Sequence, residues 1–408
     1  MSVKQYLGCL TAFFRKLYAL IKDYFLRKML WNVGALKRVK KTLSSLFVAL
    51  SMLALPVTAE PTKPLETHHA LMGQVLNAHQ QAPLTGFALH VIVDDGHTFS
   101  TVKQSKENAP QVINPNSLFR IASVTKTFTA ATVLRLHEEG KLNLDTTLDK
   151  LISDDFFALL ESDGYALDKM TLKQVLSHTA GLYDHAQSDQ YLAGIMAHPQ
   201  QDITMREQIK GCVEWGDPIG KPGERFSYSD TGYVLLGHII ERVTDLPLPE
   251  AVRQYLSFDK NHIENVVWER GDSVAVDESR RVHQYLHGTD TFNWSPTVDL
   301  YGGGGLVASP IGMAKFYQAL FSGKVFKQPE TLNLMLSNKG LPAGSPYRLG
   351  VFAKEYNGTL VYQHGGFWGT LVMYEPTTQV VVAGAVTQQK DYAQLEKVMS
   401  DYLTLQAK

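Results

Sequence analysis

Strand-like segments near both ends of the sequence, separated by a long helical stretch, most constrain the fold. Apolar or alternating residues at Gly86–Asp94 and Thr98–Lys103, around the turn dipeptide Asp95-Gly96, predict an early β-hairpin. From Leu142 to about Asp290 the pattern predicts mostly helices and loops. Strand-like runs then return at Arg348–Lys354, Leu360–Tyr362, Thr370–Tyr374 and Gln379–Val386. We therefore expect an α+β fold, in which a mixed sheet assembled from both chain ends lies beside an inserted helical region.

Helical patterns frame these strands. The segments with apolar residues at helical spacing include Thr127–Gly140, Tyr233–Val243, Pro310–Ser322 and Asp391–Leu405. The last of them predicts an amphipathic helix that closes the fold.

The composition is that of an ordinary globular protein. The 408 residues are 44% hydrophobic and 19% charged, which permits a large core and one or two domains. Residues 1–59 hold 10 of the 39 Lys and Arg residues but only one of the 40 acids, so residues 60–408 have a net charge of −10. An acidic body argues against nucleic acid as a partner. With only Cys9 and Cys212 and no His-Glu-x-x-His helix, we expect no disulfide framework, no metal and no cofactor.

The first 59 residues predict export. Lys37–Lys41 is a basic segment, Leu43–Leu55 is a short apolar run, and Val57-Thr-Ala59 resembles a cleavage site. We expect a signal peptide and a periplasmic or secreted mature chain of residues 60–408. Contact with a membrane is expected only through the N-terminal segment, if it stays uncleaved.

The basic segment begins unusually far from Met1. Met29 is a plausible start, which would place Met1–Lys28 outside the natural protein. Alternatively, Met1–Lys28 forms a basic amphipathic helix on a membrane surface.

A serine and a lysine three residues apart stand at the start of a predicted helix. In Ser123-Val124-Thr125-Lys126 the two side chains lie one turn apart on the same helix face. Free N–H groups at the helix start favour an oxyanion at Ser123, and Lys126 is placed to take or share the serine proton. This spacing alone is weak evidence for a site.

Two downstream segments add to this motif. Pro222–Tyr233 contains Tyr228-Ser229-Asp230 just before a predicted helix. Tyr362–Phe367 contains His364-Gly365-Gly366 between two strand-like runs, where glycines often allow a ligand to approach the backbone.

In this order, the three motifs resemble those of the serine β-lactamase and penicillin-binding-protein superfamily. The resemblance is to the class C β-lactamase and serine-esterase branch, which carries Ser-x-x-Lys, Tyr-x-Asn and Lys/His-x-Gly. It covers about residues 65 to 405. It implies a β-lactamase/transpeptidase-like fold, with an antiparallel sheet flanked by terminal helices and an all-helical region, and a site in the cleft between them.

The resemblance also implies roles for individual residues. Ser123 would be the nucleophile, and Lys126 and Tyr228 are both candidates for its base. The division of that work between them stays open. Tyr228 could act as a phenolate stabilised by nearby cations. The backbone N–H groups of Ser123 and Phe367 would form the oxyanion hole.

The strand motif would line the substrate. Gly365 and Gly366 would allow close approach of its backbone, and His364 would orient Tyr228 and receive an anionic or carbonyl group of the substrate. By contrast, His178 and Gly181 are expected to be structural. Tyr301 and Gly302–Gly305 could line the cleft or only permit tight turns.

Asp230 departs from the pattern of the family, which usually has asparagine at this position. An ionised aspartate cannot donate a hydrogen bond to a substrate carbonyl. It would instead pair with Lys126 and favour the charged form of the lysine. Efficient β-lactam hydrolysis is therefore doubtful, and an ester, or an amide with an amino group nearby, fits better.

The sequence thus predicts an exported serine hydrolase that acts on a small-molecule or peptide substrate. It would form an acyl-enzyme at Ser123 with an ester, an amide or a β-lactam. One alternative is a D-amino-acid peptidase or carboxypeptidase that acts on peptidoglycan-type peptides. Another is a penicillin-binding or sensor protein in which the acyl-enzyme does not turn over.

Export makes a simple prediction about mass. If the signal peptide is removed after Ala59, protein purified from its native host begins at Glu60. Intact-mass spectrometry tests this, and a mature chain that retains Met1 or Met29 would contradict it.

Overall fold

The structure, a computed structural model, describes residues 65–93, 96–106 and 111–407. The predicted signal peptide, both candidate start residues and Asp95 of the predicted turn lie outside the described residues.

Strands from both ends of the chain form the main sheet. The strands are β1 Phe87–Ile92, β2 Thr98–Lys103, β3 Phe119–Arg120, β4 Val266–Trp268, β5 Tyr285–Leu286, β6 Thr289–Asp290, β7 Leu306–Ala308, β8 Phe352–Tyr356, β9 Thr359–Gly366, β10 Thr370–Glu375 and β11 Val380–Val386. Six of them form one sheet in the order β2-β1-β11-β10-β9-β8. Every pairing in it is antiparallel, so the sheet is not mixed as the strand pattern suggested. The union of both chain ends is confirmed.

Two smaller sheets lie outside the main one. Strands β3, β7 and β4 form an antiparallel sheet in that order, and β5 and β6 form a short hairpin. These short strands escaped prediction because each has only two or three residues.

The helices surround the sheet and fill the middle of the chain. They are α1 Leu65–Ala78, α2 Thr125–Glu138, α3 Asp154–Glu161, α4 Leu172–Leu176, α5 Asp189–Ala197, α6 Met205–Glu214, α7 Asp230–Thr244, α8 Leu248–Tyr255, α9 Pro310–Phe321, α10 Pro329–Leu336 and α11 Tyr392–Gln406. In the described part of the chain, no helix combines the length and the apolar character that a membrane span needs.

Both faces of the main sheet are buried. Along β11, Val380 and Val382 belong to the apolar cluster formed with α1 and α11, whereas Val381 and Ala383 belong to the larger cluster that includes α9, α2 and α7. Successive side chains of a strand point to opposite faces, so burial on both sides explains the uninterrupted apolar run of β11.

Helix α2 occupies the centre of the larger cluster. Phe128 stacks on Phe316 of α9 with ring centroids 3.6 Å apart. Buried hydroxyls fix α2 to neighbouring loops: Thr127 donates to the Gly350 carbonyl at 2.8 Å, and Thr129 donates to the Gly302 carbonyl at 2.8 Å. The helix that follows Ser123 is therefore held rigidly.

The boundaries of two elements differ from prediction for local reasons. Helix α7 begins at Asp230 rather than Tyr233, because the Ser229 hydroxyl caps it by accepting the Gly232 N–H. Strand β8 begins at Phe352, since a tight turn precedes it in which the Arg348 N–H bonds to the Val351 carbonyl.

Candidate active site

Ser123 lies in a 3₁₀ turn, Ala122–Val124, that leads directly into α2. Ala122 has φ of 42°, a left-handed conformation that is strained for a residue with a side chain and is common at functional sites. The preceding residue, Ile121, is held from two sides. Its N–H bonds to the Leu306 carbonyl of β7, and its carbonyl accepts the Thr370 hydroxyl of β10 at 3.1 Å. The sheet therefore fixes the turn that presents the serine.

The Lys126 side chain is completely buried and its ammonium group contacts three acceptors. It donates to the Ser123 hydroxyl oxygen at 3.0 Å and to the Gly303 carbonyl at 2.7 Å, and it forms an ion pair with Asp230. An ammonium group has three N–H donors, so each has a partner. The predicted proximity of Ser123 and Lys126 is present, and their roles stay predictions.

Tyr228 is half-buried beside Ser123, and their hydroxyls share a hydrogen bond. The His178 ring lies against the phenol ring at 4.2 Å, and the His178 Nδ1 accepts the Ser229 N–H. Burial, followed by the negative charge of Asp230, raises the pKa of Tyr228 well above its ordinary value. The raised pKa favours the protonated phenol at rest, whereas a base role needs a phenolate, and the role of Tyr228 stays a prediction.

His364 is buried on β9 and is neutral. Burial, with the Lys126 charge as a smaller cause, lowers the pKa of His364 to about 3. Its Nε2 is 2.9 Å from the Tyr347 hydroxyl, and its Nδ1 is 2.9 Å from the Gly365 carbonyl. The lowered pKa favours a neutral imidazole, and the protein engages both of its ring nitrogens. The roles expected of His364 towards Tyr228 and the substrate stay predictions.

The glycine pair of β9 brings this strand against the Ser123 turn. A Cβ atom at Gly366 would overlap the Ile121 carbonyl oxygen, so only glycine fits there. Phe367 follows directly, lines the cleft and is 46% exposed. The two predicted oxyanion donors, Ser123 and Phe367, thus belong to backbone segments that touch each other, and their joint role stays a prediction.

Two carboxylates lie together at the start of α7. Asp230 is its first residue, and its N–H donates to Asp184 Oδ1 at 3.0 Å, which also accepts the Ala186 N–H at 3.1 Å. Burial and the Asp230 charge raise the pKa of Asp184 to about 7. Sequence reasoning missed Asp184, although it stands three residues after Gly181, which the sequence analysis singled out.

A cleft of about 500 Å³ opens in front of Ser123. Much of its wall is apolar, including Tyr191, Leu192, Ile195, Val298, Trp294 and Trp368. Its charged lining residues are Asp184, Asp230, Asp299 and Lys354, and the Lys354 ammonium is paired with Glu396 at 2.8 Å. Above about pH 7, where Asp184 has also lost its proton, the carboxylates give the cleft an excess of negative charge.

Histidines do not offset this charge. Besides His364, the cleft is lined by His185, and burial lowers the pKa of His185 to about 4. Asp299 lies deeper, where it accepts the Trp368 indole N–H at 2.9 Å and burial raises its pKa to about 6.

Of the remaining predicted residues, some line the cleft and others support the loops and side chains around it. Gly303 lines the cleft. The Tyr301 hydroxyl donates to the Ile203 carbonyl, and Gly302 has φ of 111°, so these two residues form a tight turn. His178 lies behind Tyr228, and a Cβ atom at Gly181 would overlap the Gly220 carbonyl. Among the residues described, no cluster of His, Cys, Asp and Glu is arranged to hold a metal ion.

The raised pKa of Asp184 makes a prediction about stability. The unfolded carboxyl loses its proton near pH 3.8, but the folded one keeps it until about pH 7, so Asp184 lowers the stability of the fold as pH rises between these values. In Asp184→Asn the amide oxygen can still accept both N–H groups. We expect the free energy of unfolding of this variant, relative to wild type, to be higher at pH 8 than at pH 4 by up to about 4 kcal/mol.

Denaturant unfolding at both pH values measures this difference. The exposed Asp168 is the matched control, and Asp168→Asn should show little dependence on pH. Equal effects of Asp184→Asn at pH 4 and pH 8 would contradict the assignment.

Comparisons with known proteins agree with this geometry. The family model for Beta-lactamase matches residues 74–403. Penicillin-binding protein 4* of Bacillus subtilis is 27% identical over 198 residues, 47% of this chain and 38% of that protein. The match therefore spans well under half of that relative. Teichoic acid D-alanine hydrolase of Staphylococcus aureus is 24% identical over 305 residues, 71% of this chain and 67% of that protein.

Solved structures of related proteins are also similar to this fold. The D-stereospecific amidohydrolase from Streptomyces sp. superposes with a TM-score of 0.68 and 23% identity, over 81% of this chain and 97% of that one. With a family model that covers most of its length and the predicted α+β fold in place, this chain belongs to the β-lactamase family.

Proposed function

We propose that this protein is a serine hydrolase that cleaves esters or amides whose acyl group carries a free amino group, such as D-alanyl esters. The observation that carries the proposal is the buried Lys126 ammonium, which contacts both the Ser123 hydroxyl and the Asp230 carboxylate. The serine and lysine supply acyl-transfer chemistry, and the negative charge of the aspartate favours cationic substrates.

The reaction has two steps. Before acylation Lys126 gives up one ammonium proton to solvent. The Ser123 oxygen then bonds to the substrate carbonyl carbon, and the serine proton passes to the neutral Lys126 amine directly or through Tyr228. The bond from the carbonyl carbon to the departing alcohol or amine breaks, and the proton is delivered to that group. In deacylation a water molecule repeats the attack on the acyl-serine ester and releases the acid. Because Tyr228 is protonated at rest, it can relay a proton, while the site avoids building a phenolate beside Asp230.

Lys126 begins as an ammonium ion and must release a proton before it can act as a base. A substrate ammonium that binds beside Asp230 would compete for this carboxylate and, through repulsion between like charges, favour the neutral amine of Lys126. Substrate binding would thus help to activate the base.

The charges of the cleft support a cationic acyl group. Asp230 is 25% exposed, so its carboxylate is accessible from the cleft. A substrate carboxylate would meet this negative charge without a free cation, because Lys354 is paired with Glu396 and His364 is neutral. This argues against carboxypeptidase action and against anionic β-lactams as preferred substrates.

The names of similar proteins support a substrate whose acyl group has the D-configuration. The staphylococcal relative is a D-alanine hydrolase and the structural neighbour is a D-stereospecific amidohydrolase. D-Alanyl esters combine a small acyl group, a free ammonium and a good leaving group. We further propose that the protein acts after export, which the signal-like N-terminal sequence supports.

The nucleophile assignment predicts the loss of covalent chemistry. Ser123→Ala should abolish both hydrolysis of D-alanine p-nitroanilide and labelling by a fluorophosphonate, with circular dichroism unchanged. Lys126→Ala and Tyr228→Phe should each lose most of the rate, and the double variant should lose little more than the worse single one, since the groups share one proton relay. Labelling that persists in folded Ser123→Ala would refute the assignment.

The charge of Asp230 leads to a prediction about selectivity between substrates with and without a free amino group. With the carboxylate replaced in Asp230→Asn, kcat/KM for D-alanine methyl ester should fall relative to its N-acetyl form by roughly tenfold or more, since one hydrogen bond to a charge contributes ~1.5–3 kcal/mol. Cephalosporin hydrolysis should rise relative to ester hydrolysis, because asparagine can donate to the substrate and leaves the cleft less negative.

Asp245, at the opposite end of α7, gives the matched control with the same loss of charge. Asp245→Asn should leave both ratios unchanged. If Asp230→Asn also leaves them unchanged and only lowers the melting temperature, Asp230 serves the helix terminus and not the substrate.

A further inference from the structure

The middle residue of the His364-Gly365-Gly366 motif has no side chain, and a residue from the C-terminal helix fills its place. A Cβ atom at Gly365 would overlap the hydroxyl oxygen of Tyr392, the first residue of α11. Tyr392 also lines the cleft in front of Ser123. Its phenol therefore puts a hydroxyl where a side chain at Gly365 would otherwise begin.

This hydroxyl is available to a ligand. Within the described part of the chain, the Tyr392 hydroxyl makes no hydrogen bond to a protein atom, and the side chain is only half-buried. The Tyr356 hydroxyl, by contrast, lies within hydrogen-bond distance of the Glu396 and Gln363 side-chain oxygens, and Tyr356 does not line the cleft. Burial and the Glu396 charge raise the pKa of Tyr392, so its hydroxyl is a neutral donor at all pH values of interest.

The position of Tyr392 fixes which part of a substrate it can meet. The carboxylates of Asp184 and Asp230 lie at the start of α7 and would hold the ammonium of the acyl group. Tyr392 lies instead beside Gly365 on β9, and it contributes to the raised pKa of Tyr228. If the proton reaches the departing atom through Tyr228, a leaving group that departs towards β9 meets Tyr392.

The backbone beside Tyr392 is also open. Strand β8 pairs with β9 only as far as Gln363, so Gly365 has a neighbour on the β10 side and none in β8. A leaving group that extends past Ser123 can therefore lie along this edge and reach the phenol.

We propose that Tyr392 binds the leaving group, by donating a hydrogen bond from its hydroxyl to an oxygen of the departing alcohol. The inference rests on the proposed hydrolase function and narrows its substrate class. A polyol ester of a D-amino acid, in which the departing alcohol has further oxygens, would use this contact, whereas a simple alkyl ester would not.

Two esters with the same acyl group test this assignment. For Tyr392→Phe, kcat/KM for the glyceryl ester of D-alanine should fall about tenfold, with little change for D-alanine methyl ester. Both esters give the same acyl-enzyme, so the deacylation rate in single-turnover experiments should match that of wild type. Tyr356→Phe removes a phenol hydroxyl near the same helix and should leave the preference for the glyceryl ester unchanged.

The outcomes separate this inference from the proposed function. If wild type hydrolyses both esters and Tyr392→Phe loses equal activity on both, or none, the leaving-group contact is refuted while the hydrolase stands. A loss confined to deacylation would also refute it, because it would place Tyr392 on the acyl group. If wild type labels at Ser123 but cleaves neither ester, the proposed substrate class fails, and the inference fails with it.

Discussion

A lysine ammonium with no exposed surface is the constraint on which the rest of this site depends. An isolated charge in a protein interior is strongly unfavourable, and removing one partner of a buried ion pair typically costs about 3–5 kcal/mol. Lys126 meets this demand with one partner from each of three segments: Ser123 from the turn before α2, Gly303 from the glycine-rich loop, and Asp230 from the start of α7. The cation thus holds together the elements that form the cleft.

The third partner, Asp230, affects the charge and the pKa values of other groups in the site. Its negative charge pairs with the buried Lys126 ammonium and, after burial itself, raises the pKa of Tyr228, which favours the protonated phenol. Among the described residues that line the cleft, His364 is neutral and bonded to Tyr347, and the Lys354 ammonium is paired with Glu396. An active site on a fold shared with β-lactamases thus has its own pattern of charges, which agrees with the general rule that function resides in the site rather than in the fold.

Local patterns predicted the parts of the site that are close in sequence. Ser123 and Lys126 are three residues apart, so helical geometry alone brings them together. The glycines of the β9 motif were also informative, because close backbone approach at Gly366 admits no side chain. The roles of Tyr228 and His364 were less predictable, since a pKa depends on burial and on neighbouring charges that a single sequence does not place.

By itself, the sequence determined the α+β class, the union of both chain ends in one sheet, and the order of the three motifs, because these follow from hydrophobic periodicity and from residue type. Only the tertiary structure decided which distant side chains complete the site. Asp184 reaches Asp230 across 46 residues, and Tyr392 reaches the space beside Gly365 from the C-terminal helix. Such contacts are set by how the sheet and helices pack, and packing is a property of the whole chain that no local pattern specifies.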